Sequence, residues 1–287
     1  MSATSFTGIE RDTRTKQVLY VAGGLIAVLV FAVPLVFALL RSLQPNTVIT
    51  AAPDAKTFFD LSLANFSGLL GNPALGRSVL NSLVVSLGTA VLTAAVALFA
   101  GYGFAKFRFR MSNALFGLIV LTMMVPFQAI LTPLYLELNA FRLTDSLLGL
   151  VLFYTTVNLP FGIFVMRNSF AAIPKELEDS GHVDGAGTMQ TLFSVLWPLV
   201  LPGVATTALY AFLVSWTEFL GALTFITDPD KYTLPVTLAN LQQGTYGQVD
   251  FGLLAAGAVV AMIPCVILYV ALQRFYVKGL TSGAVKG

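Results

Sequence analysis

Charge is scarce in this chain. Only 10% of its 287 residues are Asp, Glu, Lys or Arg, against about 25% in a soluble domain. Cysteine occurs once, at Cys265, and histidine once, at His182. A lone cysteine excludes an intrachain disulfide, and a lone histidine argues against a histidine-based metal site or catalytic dyad. A net charge of +2 provides no basic surface for nucleic acid. No catalytic residue, metal ligand or cofactor site is expected on the chain. What is abundant is apolar: 56% of residues, with a mean hydropathy of +0.82. This composition excludes disorder, a collagen-like fibre, a disulfide scaffold and an ordinary cytosolic enzyme. It leaves an all-α integral membrane protein.

A bilayer core of about 30 Å needs about 20 apolar residues in a helix. Six runs qualify: Val18 to Leu40, Val79 to Ala105, Ala114 to Leu136, Leu147 to Met166, Pro198 to Ile226, and Phe251 to Leu272. Each is expected to be helical, because unpaired backbone groups are too costly in lipid. The first run is too long for a signal peptide and has no clean cleavage site after it. It reads as an uncleaved first helix. Residues 1–17 and 273–287 then form tails around a six-helix domain at 18–272. Eleven Lys and Arg residues fall on the side of the termini and five on the other. The positive-inside rule therefore places both termini in the cytoplasm. On the other side, residues 41–78 read as a folded or draped loop.

One cytoplasmic loop, at 167–197, breaks this pattern because it is acidic. Glu176, Glu178, Asp179 and Asp184 outnumber Arg167 and Lys175. Pro174 suits the first position of a helix, and the acids suit its positive end. Met189, Leu192, Phe193 and Leu196 then recur with helical spacing and predict one apolar face of a second helix. Between the two helices, Ser180, Gly181, Gly185, Ala186 and Gly187 have almost no bulk. Such a knuckle lets another protein approach the backbone, or it is a surface hairpin linking two spans.

The run Glu178-Asp179-Ser180-Gly181-His182-Val183-Asp184-Gly185-Ala186, followed by Val195-Leu196-Trp197-Pro198, resembles the EAA loop of ABC-importer permeases. Asp179 stands for the Glu of that motif, Ser180 and Gly181 for its alanines and Gly185 for its glycine. Lys106-Phe107-Arg108, Tyr232-Thr233-Leu234-Pro235 and the Gly279 to Gly287 tail extend the likeness to the carbohydrate branch, MalG-type. The resemblance implies one of two homologous permease subunits, which together form the pathway in a plasma membrane. It also implies two ATPase subunits, which carry ATP and Mg, and an extracytoplasmic sugar-binding protein. The chain has no Gly-x-x-x-x-Gly-Lys-Ser/Thr phosphate loop, so the energy source lies on another chain.

Within this frame Glu178, Asp179, Ser180, Gly181, Asp184, Gly185 and Ala186 would couple to the ATPase as a helix between spans four and five. Gln242, Gln243, Gly244, Thr245 and Tyr246 would probe the binding protein, or form a flexible external connection. The C-terminal tail would reach the ATPases or fray. Ser82, Ser86, Thr89 and Thr93 share one face of span two, which suits close packing or a sugar lining. Asn81 caps that helix or faces the pathway. Tyr154, Asn158, Trp216 and Glu218 are further candidates for the pathway. Glu218 is the one carboxylate inside a span, so it must face protein or water. It is a gate contact or a structural bond to a neighbouring helix. Two other readings remain: an importer of another solute, such as a glycerol-phosphodiester or amino sugar, and an integral membrane enzyme.

Overall fold

The computed structural model describes residues 7–50, 60–183, 185–243 and 249–284. Among the described residues there is no β-strand, and nearly every segment is helical. The chain divides into two compact units, residues 1–71 with 244–260 and residues 72–243 with 261–287.

In the first unit, α1 (Thr7–Ser42) exposes apolar side chains from Val18 to Leu39 around its circumference. A helix apolar on every side belongs in lipid or against another protein. It begins within the segment read as a tail. The region after it is partly folded, with α2 (Asn46–Thr50) and α3 (Ala64–Leu70). Two asparagines organise it. Asn65 Nδ2 donates to the carbonyls of Ser42, at 2.9 Å, and Gln44, at 2.8 Å, just past the end of α1. Asn46 Oδ1 accepts from the backbone N–H of Phe251 at 3.1 Å, at the start of α13 (Phe251–Ala284). Each satisfies backbone groups that a helix end leaves open.

The second unit is built on α4 (Pro73–Lys106), α7 (Leu147–Ala171) and α10 (Trp197–Thr217). Asn72 caps α4 by accepting from the Ala74 N–H at 3.1 Å, with Pro73 in the first turn, where its missing N–H costs nothing. The three helices touch where side chains are smallest. A Cβ at Gly101 would lie 2.5 Å from Met166 Cβ, and one at Gly162 would lie 2.9 Å from Thr207 Cγ2 and 3.0 Å from Ala97 Cβ. Without a hydrophobic force between helices in lipid, such close backbone contact supplies the attraction. Leu150, Phe153, Tyr154 and Phe225 fill one end of this unit. Tyr102, Met166, Phe170, Leu192 and Leu196 fill the other.

Among the described residues, five helices are long and apolar enough to cross a membrane, and a sixth crossing exists only if a bent pair counts as one. That pair replaces the continuous third run. α5 (Ser112–Thr122) and α6 (Phe127–Ala140) meet at 101°. The cause is Pro126, which lacks an N–H and disfavours helical geometry at the preceding residue. The fifth run also breaks. α10 stops at Thr217, and a short α11 (Leu220–Phe225) follows. Glu218 sits in the break. Its carboxylate accepts from the N–H groups of Leu220 and Gly221, both at 2.8 Å.

A polar clamp joins the loops at this end. Asp145 Oδ1 accepts from the N–H groups of Thr227 at 3.0 Å and Asp228 at 2.9 Å, while Oδ2 meets Lys231 Nζ at 2.7 Å. The Lys231 hydrogen bond, with the two backbone donors, holds the Asp145 carboxyl well below the usual carboxylate range. Asp145 in turn raises the pKa of Lys231. Arg77 pairs with Asp230 nearby, beside α12 (Leu234–Gln243).

Two outcomes are expected. Gly101→Ala should lower the stability of the purified chain by about 1–3 kcal/mol, read as a lower unfolding temperature in detergent. Gly103→Ala, where a Cβ meets nothing within 4 Å, should not lower it. Equal losses at both positions would rule out the close contact as the cause. For the clamp, a depressed carboxyl stabilises above its ordinary pKa of 3.8 and loses that effect as pH falls through its folded value. Wild type should therefore remain more heat-stable than Asp145→Asn from pH 7 to pH 4 and converge on it only in stronger acid. Convergence already at about pH 5 would contradict the assignment.

Candidate functional site

The acidic loop folds as α8 (Lys175–Val183) and α9 (Thr188–Thr191), followed by one π-helical stretch at Leu192–Leu196 that runs into α10. Pro198 explains the widened stretch. It cannot donate to the carbonyl of residue 194, and its ring would crowd that carbonyl. The expected apolar face consequently divides. Leu192 and Leu196 are fully buried, whereas Met189 and Phe193 are exposed.

One side chain anchors α8. Glu178 Oε2 lies 3.3 Å from Lys106 Nζ, and Glu178 Oε1 accepts from the Tyr102 hydroxyl at 3.3 Å. Lys106 also donates to the carbonyl of Ile173 at 3.1 Å. The Lys106 and Glu178 side chains keep only 9% and 13% of their surface exposed. Tyr102 and Lys106 are one turn apart at the end of α4, where a cation also suits the helix dipole. The resemblance assigned the motif's acid to Asp179. Here the buried ion pair belongs to Glu178, and Asp179 is exposed. Composition gave no sign of this anchor; the four-residue spacing of Tyr102 and Lys106 was the available clue.

The knuckle is tightly made. Gly181 is buried, and a Cβ there would stand 3.3 Å from Thr191 Oγ1. The Ala186 N–H donates to the Gly181 carbonyl at 3.0 Å, closing the end of α8. Gly185 has φ +78° with open space around it, a conformation that glycine adopts at no steric cost. Ser180 is exposed and donates to the Leu177 carbonyl at 2.9 Å. Asp184 lies outside the described residues. Leu177 and Val183 present exposed apolar groups, Val183 with 87% of its surface free. The result is a small protrusion, fixed at its root and apolar at its tip.

Most of the candidate pathway residues form hydrogen bonds within the chain, whereas the Ser86, Thr89 and Thr93 hydroxyls have no partner among the described residues. Tyr154 is buried and donates to Glu218 Oε2 at 2.7 Å. Asn158 donates to the Tyr154 carbonyl at 2.7 Å, and Trp216 Nε1 to the Ala261 carbonyl at 2.9 Å. Asn81 donates to the carbonyls of Asp230 and Tyr232, at 2.9 and 3.0 Å. Ser82 accepts from the Leu234 N–H at 2.7 Å. Ser86, Thr89 and Thr93 are buried along the same face of α4. Gln242 and Gln243 end α12, while Gly244, Thr245 and Tyr246 lie outside the described residues. Among the described residues, no three His, Cys, Asp or Glu side chains come together as metal ligands would.

A family model described as "Binding-protein-dependent transport system inner membrane component" matches residues 94–282. The chain is 32% identical over 257 residues to the trehalose transport system permease protein SugB of Mycobacterium tuberculosis, covering 88% of this chain and 92% of that one. It is 35% identical over 209 residues to the diacetylchitobiose uptake system permease protein DasC of Streptomyces coelicolor, covering 73% and 75%. Among solved structures, a bacterial ABC transporter involved in the import of the acidic polysaccharide alginate superposes with a TM-score of 0.78. That match covers 96% of this chain and 100% of that chain at 21% identity, and so it establishes the fold. A multi-pass helical architecture, an anchored loop before α10 and these matches agree: the chain belongs to the family of binding-protein-dependent transport system inner membrane components.

Proposed function

We propose that this chain forms half of the membrane pathway of an ABC importer for carbohydrate, with a second, homologous permease subunit forming the other half. The family match and the sugar-transport relatives support the carbohydrate reading. The charge asymmetry supports a six-crossing arrangement with both termini in the cytoplasm. In that arrangement α8 lies on the cytoplasmic side, between the fourth and fifth crossings, and docks on an ATPase subunit. ATP and Mg belong to the two ATPase subunits. A sugar-loaded binding protein docks on the opposite face, where Gln242 to Tyr246 are candidate contacts.

The observation that carries the coupling role is the Glu178 anchor. A docking helix transmits force only if its root is stiff. The buried Lys106–Glu178 pair fixes α8 to the end of α4, and α9 passes through the π turn into α10 without a break. Closure of the ATPase dimer against α8 would then tilt two of the three central helices together. Asp179, Ser180, Gly181, Asp184, Gly185 and Ala186 would supply the contact surface. The diacetylchitobiose relative gives one specific reason to keep an amino sugar among the solutes.

Removing one member of a buried ion pair costs about 3–5 kcal/mol. In the reconstituted complex, Glu178→Ala should leave ATP hydrolysis without stimulation by the loaded binding protein. Sugar uptake should fall about tenfold or more. The variant should still insert and retain the partner permease. Unchanged sugar-stimulated hydrolysis and uptake would overturn the coupling role of α8.

A further inference from the structure

Tyr154, Asn158, Trp216, Asn81 and Glu218 form hydrogen bonds inside the chain, whereas one cavity in the second unit has polar groups on its open surface. A cavity of about 590 Å³ opens between the α5–α6 break, the middle of α7 and Tyr210 of α10. Pockets that hold small organic ligands fall in this size range. Its lining combines rings and hydroxyls: Phe161 and Tyr210, Phe127, Thr122 and Thr156. The Phe161 and Tyr210 rings pair with centroids 4.0 Å apart and an interplanar angle of 34°. Tyr210 is 39% exposed, and among the described residues its hydroxyl has no hydrogen-bond partner. The Thr156 hydroxyl donates to the Leu152 carbonyl at 2.9 Å, which leaves its oxygen able to accept. Among the described residues, no charged side chain lines the cavity.

Depth matters as much as lining. At 1.5 Å per residue, Thr156 lies about 14 Å from the start of α7 and Tyr210 about 11 Å from the end of α10. Both distances approach half of a bilayer core of about 30 Å. Met123 and Val125, in the non-helical break between α5 and α6, also line the cavity. Irregular backbone at that depth is tolerated only against protein or water, not against lipid. A discontinuous helix beside a cavity near mid-membrane is the kind of place where transported solutes bind. The two faces of a pyranose match it: C–H groups for an aromatic surface, hydroxyls for the free oxygens.

We infer that this cavity is a binding subsite for an uncharged sugar on the translocation pathway. Phe161 and Tyr210 form the stacking platform, and the Tyr210 and Thr156 hydroxyls bond the sugar's rim. The inference rests on the carbohydrate-importer reading and assigns to this subunit a direct part in selecting the solute.

The test uses the complete complex in proteoliposomes with its binding protein. Trehalose and diacetylchitobiose serve as neutral probes and an alginate oligosaccharide as the acidic one. With the neutral sugar that wild type transports, Tyr210→Ala and Phe161→Ala should each lower maximal uptake about tenfold. ATP hydrolysis and subunit stoichiometry should persist, so less sugar moves per ATP. Tyr210→Trp, which retains a ring, should recover most of the uptake. Normal uptake in both alanine variants, or loss of the partner permease from them, would overturn the subsite and mark the cavity as packing surface. Transport of the acidic probe alone would overturn its neutral selectivity. A wild-type complex that moves none of the three probes would count against the carbohydrate reading itself, and the subsite would fall with it.

Discussion

A near-buried ion pair holds the proposed coupling helix to the membrane core. Lys106 and Glu178 meet at 3.3 Å with little exposure, reinforced by Tyr102 and by the Ile173 carbonyl. Pairs of this kind add little net stability, because desolvation offsets the attraction, yet losing one member is costly. That asymmetry suits a mechanical joint: the pair is a poor source of stability but a specific lock. With α8 locked to α4 and the following helix continuous with α10, displacement of the knuckle reaches two of the three helices that touch at Gly101 and Gly162.

The same distinction between polar groups in use and polar groups left free organises the long helices. Tyr154 and Asn158 close bonds that would otherwise be open in the dry interior, while Asn81 and Glu218, half-buried, hold loop and helix-end backbone groups. Glu218 is instructive. A carboxylate within an apolar run looks anomalous until the run is seen to break there, where two N–H groups of α11 and the Tyr154 hydroxyl receive it. It acts as the anionic partner that a helix start favours. The Tyr210 hydroxyl is left free on the wall of the cavity beside the α5–α6 break, while the unpartnered hydroxyls of Ser86, Thr89 and Thr93 are buried along one face of α4.

Much of this was legible in residue order. Apolar length marked the long helices, because hydrocarbon thickness permits few alternatives, and the Pro174 start and the small-residue knuckle of the acidic loop were visible. The breaks were not. Hydropathy averages over a window and does not register the change of direction at Pro126, although that proline was the available signal. Neighbouring residues on a helix point about 100° apart, so either Glu178 or Asp179 could have faced α4. Only the position of Lys106 at the end of α4 decides between them. Tyr210 and Phe161 were ordinary aromatic residues until α7 and α10 brought their rings together.

The most direct test of the coupling claim is chemical capture at the knuckle. Cys265 is the only native cysteine, so a Cys265→Ser background leaves a single reactive thiol at Val183→Cys, on the exposed tip of α8. In intact membranes containing the whole complex, a short cross-linker at that thiol should capture a nucleotide-hydrolysing subunit. Leu29→Cys, on the exposed face of α1, should not. Capture of no such subunit from position 183, in complexes that still transport, would contradict the account.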